Sequence, residues 1–381
     1  MRNGDCMLQG PEQGSGPRLG RGGALVAAAA ALLQAASIAA ADTVRQYQFE
    51  PSDDGGYTLA MKEVERPEAG RGEVLVRVRA VSLNRRDLLM LNAQYGPGGD
   101  AAGGIPLSDG AGEVIEVGPG VTRFEVGDRV AGIFFERWIE GDRSAETIGS
   151  ARGGGPGGML SEVIASDEQS LVAIPEHLSY EEAATLPCAG VTAWVGLFKY
   201  GGLEAGEHVL LEGTGGVSVF GLQFAAAAGA RPIITSSSDE KLERAKELGA
   251  VGTANYRTNP DWQREVRELT EGAGVKHVLE VGGRDTLPKA LEALAYDGHI
   301  AVIGGLSGFA PSVPVGALMN LGARVTGIYV GSRADFEAMN AFITEHRLRP
   351  VVDRVFEFED APEAFDFMEN GDYMGKIVVR L

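Results

Sequence analysis

Residues 210–221, with the sequence LLEGTGGVSVFG, combine a strand-like apolar start, a glycine-rich turn and a helix-like end. Gly213 and Gly215 permit a tight turn and let backbone N–H groups approach a pyrophosphate, which the positive end of a helix attracts. The residues assigned to dinucleotide phosphate binding are Gly213, Thr214, Gly215, Gly216 and Val217. Ser218 replaces the third glycine of the G-x-G-x-x-G pattern and is small enough for close packing. A structural glycine turn without a ligand is the alternative.

A run of hydroxyl side chains follows at the place where an NAD site carries Asp or Glu on the ribose, about 20 residues further on. Residues 235–238 are Thr, Ser, Ser and Ser, and Lys241 follows them. A carboxylate would repel a 2′-phosphate, whereas hydroxyls and a cation suit it. We therefore predict NADP(H) rather than NAD(H), bound by Ser236, Ser237 and Lys241. In the alternative interpretation these serines cap the next helix.

Strand-like and helix-like segments alternate after residue 175. Strands are predicted at 207–212, 232–235, 253–256, 276–281 and 298–303, and helices at 217–228, 239–248, 261–270 and 286–295. This alternation predicts an α/β fold with βαβ units and a doubly wound parallel sheet. Val281, Gly282, Ile303 and Gly304 end two of the strands, at the edge where ligands bind in open α/β folds, and are assigned to the cofactor. Ordinary strand-ending glycines are the alternative.

The part of the chain before residue 175 is rich in short strands. In residues 71–81 small apolar and charged side chains alternate, and this two-residue repeat is typical of a half-buried strand. Similar segments bounded by glycines occur at 112–118 and 126–132. Residues 149–158 contain six glycines and a proline, which indicates a mobile loop at the mouth of a cleft or a plain linker. The tail, with strands at 324–330 and 376–380 and a helix at 334–345, is predicted to return to this β-rich first domain.

Composition limits the classes of partner. Removing a leader of 41 residues leaves 340 of the 381, enough for two domains. The whole chain carries a net charge of −19 and the leader carries +1, so the body alone carries −20. Such an acidic surface repels phosphate backbones and anionic lipid. We expect a small-molecule substrate and no nucleic-acid partner.

Residues 18–41 have the layout of a secretory signal peptide, with Arg18 and Arg21, an apolar core and three alanines before Asp42. The apolar core is too short to span a bilayer, and no membrane span is predicted in the mature body. Export is opposed by the need for a cofactor pool and by the missing arginine pair of the folded-protein export route. A misassigned start codon or a frayed alanine-rich helix is the alternative, so an exported and a cytoplasmic protein both remain open.

Taken together, several segments resemble the medium-chain dehydrogenase/reductase superfamily, in its zinc-independent branch similar to quinone oxidoreductases and alcohol dehydrogenases. They are SLNRRD at 82–87, SDGAGEV at 108–114, FEVGDRV at 124–130, LPCAGVTAW at 186–194, the glycine turn and GKIV at 375–378. They run in family order over residues 42–381. After the leader at 1–41, which its signal-like layout predicts, the resemblance implies a GroES-like β-rich catalytic domain at 42–174 and 318–381, and a Rossmann domain at 175–317. It also implies an active site in the cleft between the domains and a homodimer.

The sequence departs from the zinc members of this superfamily. Those members place Cys at the position of Asn84, His at that of Ser108 and commonly Cys at that of Cys188. One thiolate without an imidazole cannot form a normal catalytic zinc site, and residues 42–176 contain neither His nor Cys. We therefore predict that no metal is bound. Cys188 is predicted to be a small hydrophobic residue near the nicotinamide rather than a reactive thiol.

The resemblance also bears on the cofactor. It matches Lys241 and Tyr256 to positions that contact the adenosine 2′-phosphate, in agreement with the serine argument. Lys376, which lies in the last resembling segment, is also assigned to cofactor binding.

Hydride chemistry without a metal requires neutral or cationic groups that stabilise charge developing on oxygen. Asn84 can donate an amide N–H to a quinone or enone oxygen, and Tyr95 can donate a hydrogen bond or a proton. The alternatives are a turn role for Asn84 and a packing role for Tyr95. Asp87 is predicted to be a solvated, ionised carboxylate that fixes Arg86 or backbone N–H groups.

These observations favour an NADPH-dependent reductase of quinones or α,β-unsaturated carbonyls. A metal-free alcohol dehydrogenase or carbonyl reductase is the alternative within the same class. An NADPH-binding sensor or scaffold with little catalysis is the alternative from another class, because a fold does not determine a function.

Overall fold

The computed structural model describes residues 43–53, 55–95, 101–154 and 157–381, and the predicted leader lies outside the described residues. The strands are β1 (Thr43–Pro51), β2 (Tyr57–Glu65), β3 (Glu73–Ser82), β4 (Asp109–Val117), β5 (Arg129–Gly132), β6 (Val163–Asp167), β7 (Leu171–Ala173), β8 (His208–Leu211), β9 (Arg231–Ser236), β10 (Gly252–Asn255), β11 (Val275–Glu280), β12 (Leu294–Val302), β13 (Arg324–Gly327), β14 (Val352–Glu357) and β15 (Lys376–Arg380).

The helices in the same residues are α1 (Arg85–Leu91), α2 (Ala145–Ile148), α3 (Tyr180–Ala183), α4 (Val191–Trp194), α5 (Gly216–Ala227), α6 (Asp239–Glu247), α7 (Trp262–Leu269), α8 (Leu287–Ala293), α9 (Val315–Leu321), α10 (Arg333–Glu345) and α11 (Ala361–Asn370). Two π-helical turns, Leu186–Gly190 and Val195–Lys199, flank α4, and 3₁₀ turns occupy Glu168–Ser170 and Phe358–Asp360. No helix in the described part of the chain is long and apolar enough to cross a membrane.

The β-rich part is a mostly antiparallel sheet of order β14-β15-β3-β4-β5-β7, with β6 also paired to β3 and a separate β1-β2 hairpin. Alternating valines of β3 face its core, where Val74, Val76 and Val78 are buried. The second sheet has the order β10-β9-β8-β11-β12-β13 and is parallel throughout. The prediction of a β-rich domain joined to a doubly wound parallel sheet is confirmed.

Close packing between α5 and the parallel sheet depends on Gly221. A Cβ at this position would lie 2.6 Å from Leu279 Cδ1 and 2.8 Å from Leu211 Cδ2, so a larger residue would push the helix away from β8 and β11. Ser218 is buried and donates a hydrogen bond to the Glu212 carbonyl at 2.6 Å. In the G-x-G-x-x-G pattern the third glycine lets the helix pack closely on the strands. Here Ser218 and Gly221 together allow this packing.

Two expectations need correction. The segment at 324–330 does not return to the first domain, because β13 pairs in parallel with β12 and extends the Rossmann sheet beyond residue 317. The return begins with β14, which pairs with β15. The segment at 149–158 is not a plain linker in its described part, because the buried Arg152 donates to Ser166 at 2.7 Å and to Ser170 at 2.9 Å.

Two histidines are buried opposite each other on the neighbouring parallel strands β11 and β12. His277 and His299 face each other at a ring-centroid distance of 6.4 Å, and His277 Nε2 is 2.8 Å from Glu207 Oε2. Burial lowers the pKa of His299 to about 4, with a smaller contribution from Arg324. These groups lie at the end of the sheet opposite the glycine turn, and we assign them to the core.

Candidate active site

The glycine turn between β8 and α5 forms an open cradle that could hold a pyrophosphate. Gly213 has a φ of +73°, a backbone conformation that side chains disfavour. A Cβ on Gly213 or Gly215 would meet no atom within 4 Å, so space lies open above the turn. Gly215 is the extended N-cap of α5, and no side chain caps the helix. The first-turn N–H groups that no side chain caps and this open space fit the phosphates of a dinucleotide, while the Gly375 N–H fixes the turn by donating to the Thr214 carbonyl at 3.0 Å.

The hydroxyl cluster lies at the carboxyl end of β9. Ser238 caps α6 by accepting the Lys241 backbone N–H at 3.4 Å, and the Ser236 hydroxyl accepts the Ser238 N–H at 3.3 Å. The capping alternative therefore holds for Ser238, while Ser237 is half-buried beside it.

The ammonium of Lys241 lies next to the carboxyl-terminal part of the chain. It donates to the Tyr373 carbonyl at 2.9 Å and lies 3.4 Å from Asp372 Oδ1. The Lys241 side chain is 18% exposed and Tyr256 is 42% exposed, so both can meet a ligand.

Lys376 links the glycine turn to Asn84. A Cβ on Gly216 would lie 2.7 Å from Lys376 Cδ, so the methylene stem of the lysine packs against the turn. The ammonium donates to Asn84 Oδ1 at 2.6 Å and to the Leu83 carbonyl at 2.5 Å. The stem of Lys376 thus borders the proposed cofactor cradle, and its charge is directed to Asn84.

Asn84 is the N-cap of α1, and its amide is buried. Its backbone N–H donates to Asp87 Oδ2 at 2.7 Å, and its Oδ1 is occupied by Lys376. Its Nδ2 is buried without a hydrogen-bond partner, close enough to Asp109 to favour the charged form of that carboxyl. The structure thus holds the amide below the protein surface, with its oxygen bonded to Lys376 and its nitrogen near Asp109.

The two acidic residues near Asn84 are also buried. Asp87 is 0% exposed, so the expectation that it is solvated was wrong. Burial raises the pKa of Asp87 to about 6, against the opposing effect of Arg86, and leaves the group mostly ionised at neutral pH. Asp109 accepts hydrogen bonds from the Ser108 hydroxyl at 2.7 Å and from the Cys188 N–H at 3.1 Å. Both carboxylates therefore position backbone and side chains around Asn84.

Tyr95 meets a residue that sequence reasoning did not single out. Its hydroxyl is 2.7 Å from the hydroxyl of Tyr329, which follows β13 of the parallel sheet. The guanidinium of Arg86 lies 4.8 Å from the Tyr95 ring centroid and 4.7 Å from that of Phe134. Burial lowers the pKa of Arg86, but Asp87, Tyr95 and Cys188 together outweigh this effect and leave the pKa raised, so the guanidinium is charged. Two hydroxyls and one cation thus meet between the two sheets.

Backbone strain occurs on both sides of this cluster. Val330, next to Tyr329, has a φ of +56°, and Leu107, just before Ser108, has a φ of +66°. Such values are rare for residues with bulky side chains and concentrate at functional sites. The strain supports the assignment of a site here. An aromatic residue near the end of the predicted strand at 324–330 was the available sequence signal for Tyr329.

The donor set does not fit a catalytic zinc ion. Among residues 43–53, 55–95, 101–154 and 157–381, no group of three His, Cys, Asp or Glu side chains is arranged to hold a metal. Burial raises the pKa of the Cys188 thiol, with an additional effect of Asp109, and keeps it protonated. The amide of Asn84 and the hydroxyl of Ser108 are weak ligands for zinc. This geometry agrees with the inert role expected for Cys188.

Comparisons with known proteins place this arrangement in a family. Residues 70–176 match the alcohol dehydrogenase GroES-like domain, and residues 216–345 match the zinc-binding dehydrogenase family. A zinc-type alcohol dehydrogenase-like protein of Schizosaccharomyces pombe is 43% identical over 330 residues, covering 85% of this chain and 95% of that protein. The chain belongs to the medium-chain dehydrogenase/reductase superfamily.

Other members of the medium-chain dehydrogenase/reductase superfamily show similar agreement. A quinone oxidoreductase of Pseudomonas aeruginosa is 34% identical over 307 residues, covering 79% of this chain and 84% of that protein. The crystal structure of a candidate alcohol dehydrogenase from Sinorhizobium meliloti 1021 matches with a TM-score of 0.84 at 42% identity, covering 90% of this chain and 100% of that one.

Membership in the medium-chain dehydrogenase/reductase superfamily confirms three predictions. The family resemblance was correct, and the fold is a GroES-like β domain with a six-stranded parallel Rossmann sheet. The protein is an NAD(P)-dependent oxidoreductase of the alcohol dehydrogenase and quinone reductase type. The sensor or scaffold alternative loses support accordingly.

Proposed function

We propose that this protein is a zinc-independent, NADPH-dependent reductase that transfers hydride to quinones or α,β-unsaturated carbonyls. The observation that carries the proposal is the Tyr95–Tyr329 hydroxyl pair, 2.7 Å apart, beside the charged and buried Arg86. These groups can stabilise negative charge on a substrate oxygen without a metal. A small-molecule carbonyl or quinone is the corresponding substrate.

The nicotinamide supplies the hydride when the cofactor is bound. Tyr95 donates its hydroxyl hydrogen bond to the substrate oxygen, on which charge develops as the carbon accepts the hydride. Tyr329 holds the Tyr95 hydroxyl, and its own pKa is raised by burial and by that hydrogen bond, which keeps it protonated. Arg86 favours the anionic product through its positive charge. In this proposal Lys376 orients the Asn84 amide, and the Nδ2–H group of Asn84 donates a hydrogen bond to a ligand that enters deeply enough to reach it.

We propose that the cofactor lies along the carboxyl edge of the parallel sheet. The pyrophosphate would occupy the turn formed by Gly213, Thr214, Gly215, Gly216 and Val217, and the 2′-phosphate would meet Ser236, Ser237, Lys241 and Tyr256. Val281, Gly282, Ile303 and Gly304 would line the nicotinamide half. The open space above Gly213 and Gly215 supports this placement.

Oxidation of NADPH and NADH by the protein, with a panel of quinones, enones and aldehydes, tests the function. We expect turnover with NADPH and quinones or enones, unchanged by a metal chelator. Loss of activity in chelator that zinc restores would contradict zinc independence. Bound NADPH without turnover on any acceptor would instead favour a sensor or scaffold.

A second candidate is a carbonyl reductase or alcohol dehydrogenase that works without zinc. The Schizosaccharomyces pombe relative named for alcohol dehydrogenases favours it, and so does the hydroxyl pair, because Tyr95 can protonate an alkoxide. Oxidation of primary or secondary alcohols by NADP⁺, with no reduction of quinones in the reverse assay, would decide for this candidate.

We also propose that the protein forms a homodimer through β13, which is an edge strand of the parallel sheet. Large apolar side chains are exposed on β13, on α9 and on the segment before α9, namely Leu306, Phe309, Val315, Met319 and Val325. Exposed apolar surface next to an open sheet edge favours association. We expect a dimer by light scattering after gel filtration, and a folded monomer for the double variant Phe309→Asp, Met319→Asp. A wild-type monomer at all concentrations would contradict this proposal.

A further inference from the structure

A pair of buried carboxyl groups lies directly beneath the glycine turn, and the reaction described above does not use it. Glu212 follows β8 and Glu280 ends β11, and they are 4% and 0% exposed. The strand register, with Leu211 opposite Leu279, brings the two glutamates side by side. Their side chains lie within hydrogen-bonding range of each other.

The oxygen atoms of this carboxyl pair are unequally satisfied. Glu280 Oε1 accepts the N–H groups of Gly282 and Gly283 at 2.7 and 2.8 Å, and the Thr286 hydroxyl at 2.7 Å. Glu280 Oε2 and both carboxyl oxygens of Glu212 make no regular hydrogen bond, although the Val281 and Gly282 N–H groups lie near enough to Glu212 to oppose part of the rise in its pKa. Two carboxylates can only accept hydrogen bonds, so the contact between them requires a proton on one of them.

The groups around the pair identify Glu280 as the charge that acts on Glu212. The Gly213 N–H of the glycine turn donates to the Thr235 hydroxyl. The Ser218 hydroxyl of α5 donates to the backbone carbonyl of Glu212. The start of α8 contributes the Thr286 hydroxyl. Burial and the neighbouring Glu280 charge raise the pKa of Glu212 well above its ordinary value.

Glu280 also organises the strand ends that border the proposed cofactor site. Its carboxyl holds the turn after Val281, and its backbone carbonyl accepts the Ile303 N–H at 2.8 Å. A second negative charge on the pair would repel Glu280 from Glu212 and would lie close to the turn that accepts the pyrophosphate. Both effects oppose dinucleotide binding.

We propose that Glu212 and Glu280 share one proton and act as a positioning pair that holds the Val281–Gly283 turn next to the glycine turn, so that dinucleotide affinity falls when the proton is lost. The proposal rests on the proposed placement of the cofactor and is independent of the substrate class. Its sign follows from the raised pKa of Glu212: the shared proton is present at lower pH and is lost as pH rises, so dinucleotide affinity decreases as pH rises.

The test measures the Kd of NADH by calorimetry with the full chain, at intervals from about pH 6 to about pH 10. NADH is the probe because it lacks the 2′-phosphate, which itself titrates. For the wild type we expect the Kd to rise about tenfold per pH unit once the shared proton is lost, because only the protonated fraction binds well. In Glu212→Gln the amide donates to Glu280 at every pH, so the Kd stays flat and within about threefold of the wild-type value at the acidic end.

Two further variants complete the design. Glu280→Gln also places an amide donor in the pair and should give the same flat profile, which keeps the test valid if Glu212→Gln does not fold. Glu207→Gln changes a glutamate just before the opposite end of β8, where it contacts His277, and should retain the wild-type alkaline profile. An infrared difference spectrum of wild type minus Glu212→Gln, recorded at the acidic end of the pH range, should show the carbonyl stretch of a protonated carboxylic acid.

If the Kd of NADH depended on pH in the same way in wild type and Glu212→Gln, or if that infrared band were absent, the proposal of a shared proton would be overturned. Failure of the wild type to bind NADH and NADPH at any pH would instead overturn the proposed cofactor site, so the two failures are distinguishable.

Discussion

Replacing Tyr95 by phenylalanine is expected to lower kcat about 10²-fold on quinones or enones, with the Kd for NADPH within about twofold of wild type. The hydroxyl of Tyr95 is the group that would donate to the oxygen on which charge develops, and its partner Tyr329 is held at 2.7 Å. Steady-state kinetics combined with NADPH titration separate the two parameters. The aromatic ring that stacks on Arg86 is retained, so the charged guanidinium stays in place.

Tyr296→Phe is the matched control, because Tyr296 is 66% exposed and lies on β12, away from the hydroxyl pair. Tyr329→Phe should lower kcat less than Tyr95→Phe, since it removes the group that orients the donor. Unchanged turnover in the Tyr95→Phe, Tyr329→Phe double variant, on every substrate accepted by the wild type, would show that the hydroxyl pair has no part in catalysis.

Replacing Lys241 by alanine is expected to weaken NADPH binding about 10- to 100-fold and to leave NADH binding nearly unchanged. A hydrogen bond to a charged group contributes about 1.5–3 kcal/mol, which corresponds to that change in Kd. The lysine extends from α6, beside the hydroxyls at the end of β9, where we place the 2′-phosphate. Fluorescence titration with each dinucleotide measures the ratio of the two affinities.

Lys246→Ala serves as the control on the same helix, because Lys246 pairs with Glu243 on the surface at 2.7 Å. Lys241→Arg should restore most of the NADPH affinity. Equal losses of affinity for NADPH and NADH in Lys241→Ala would point to the lost contact with the Tyr373 carbonyl instead of a phosphate contact. That result would remove the basis of the predicted NADPH preference.

Most of the Rossmann sheet could be predicted because its signals are local. Strands β8, β9 and β11 were each expected within one residue of their observed limits, since each is an apolar run followed by a turn and a helix, and β12 begins four residues before its predicted start. The assignment of β13 failed for a nonlocal reason. A short strand at 324–327 carries no sign of which sheet it joins, and pairing with β12 decided it.

The candidate site was only partly predictable. Asn84 and Tyr95 were selected by residue type and family resemblance, but their partners come from distant parts of the chain: Lys376 lies 292 residues from Asn84, and Tyr329 lies 234 residues from Tyr95. Which side chains are buried could not be predicted from the sequence either. Asp87 was expected in solvent and is enclosed, because α1 and the strands beside it cover it.

The sequence by itself determined the family, the α/β architecture and a glycine turn between a strand and a helix, because glycine conformation, strand and helix periods and short segments in a fixed order are properties of neighbouring residues. The tertiary structure decided which charges are buried and which polar groups meet. Glu212 lies in the glycine-rich segment as one more acidic residue, and it becomes half of a proton-sharing pair in our proposal because the sheet places β11 next to β8. Solvent exclusion and strand order are set by the whole chain, and they give the same residue types different chemistry.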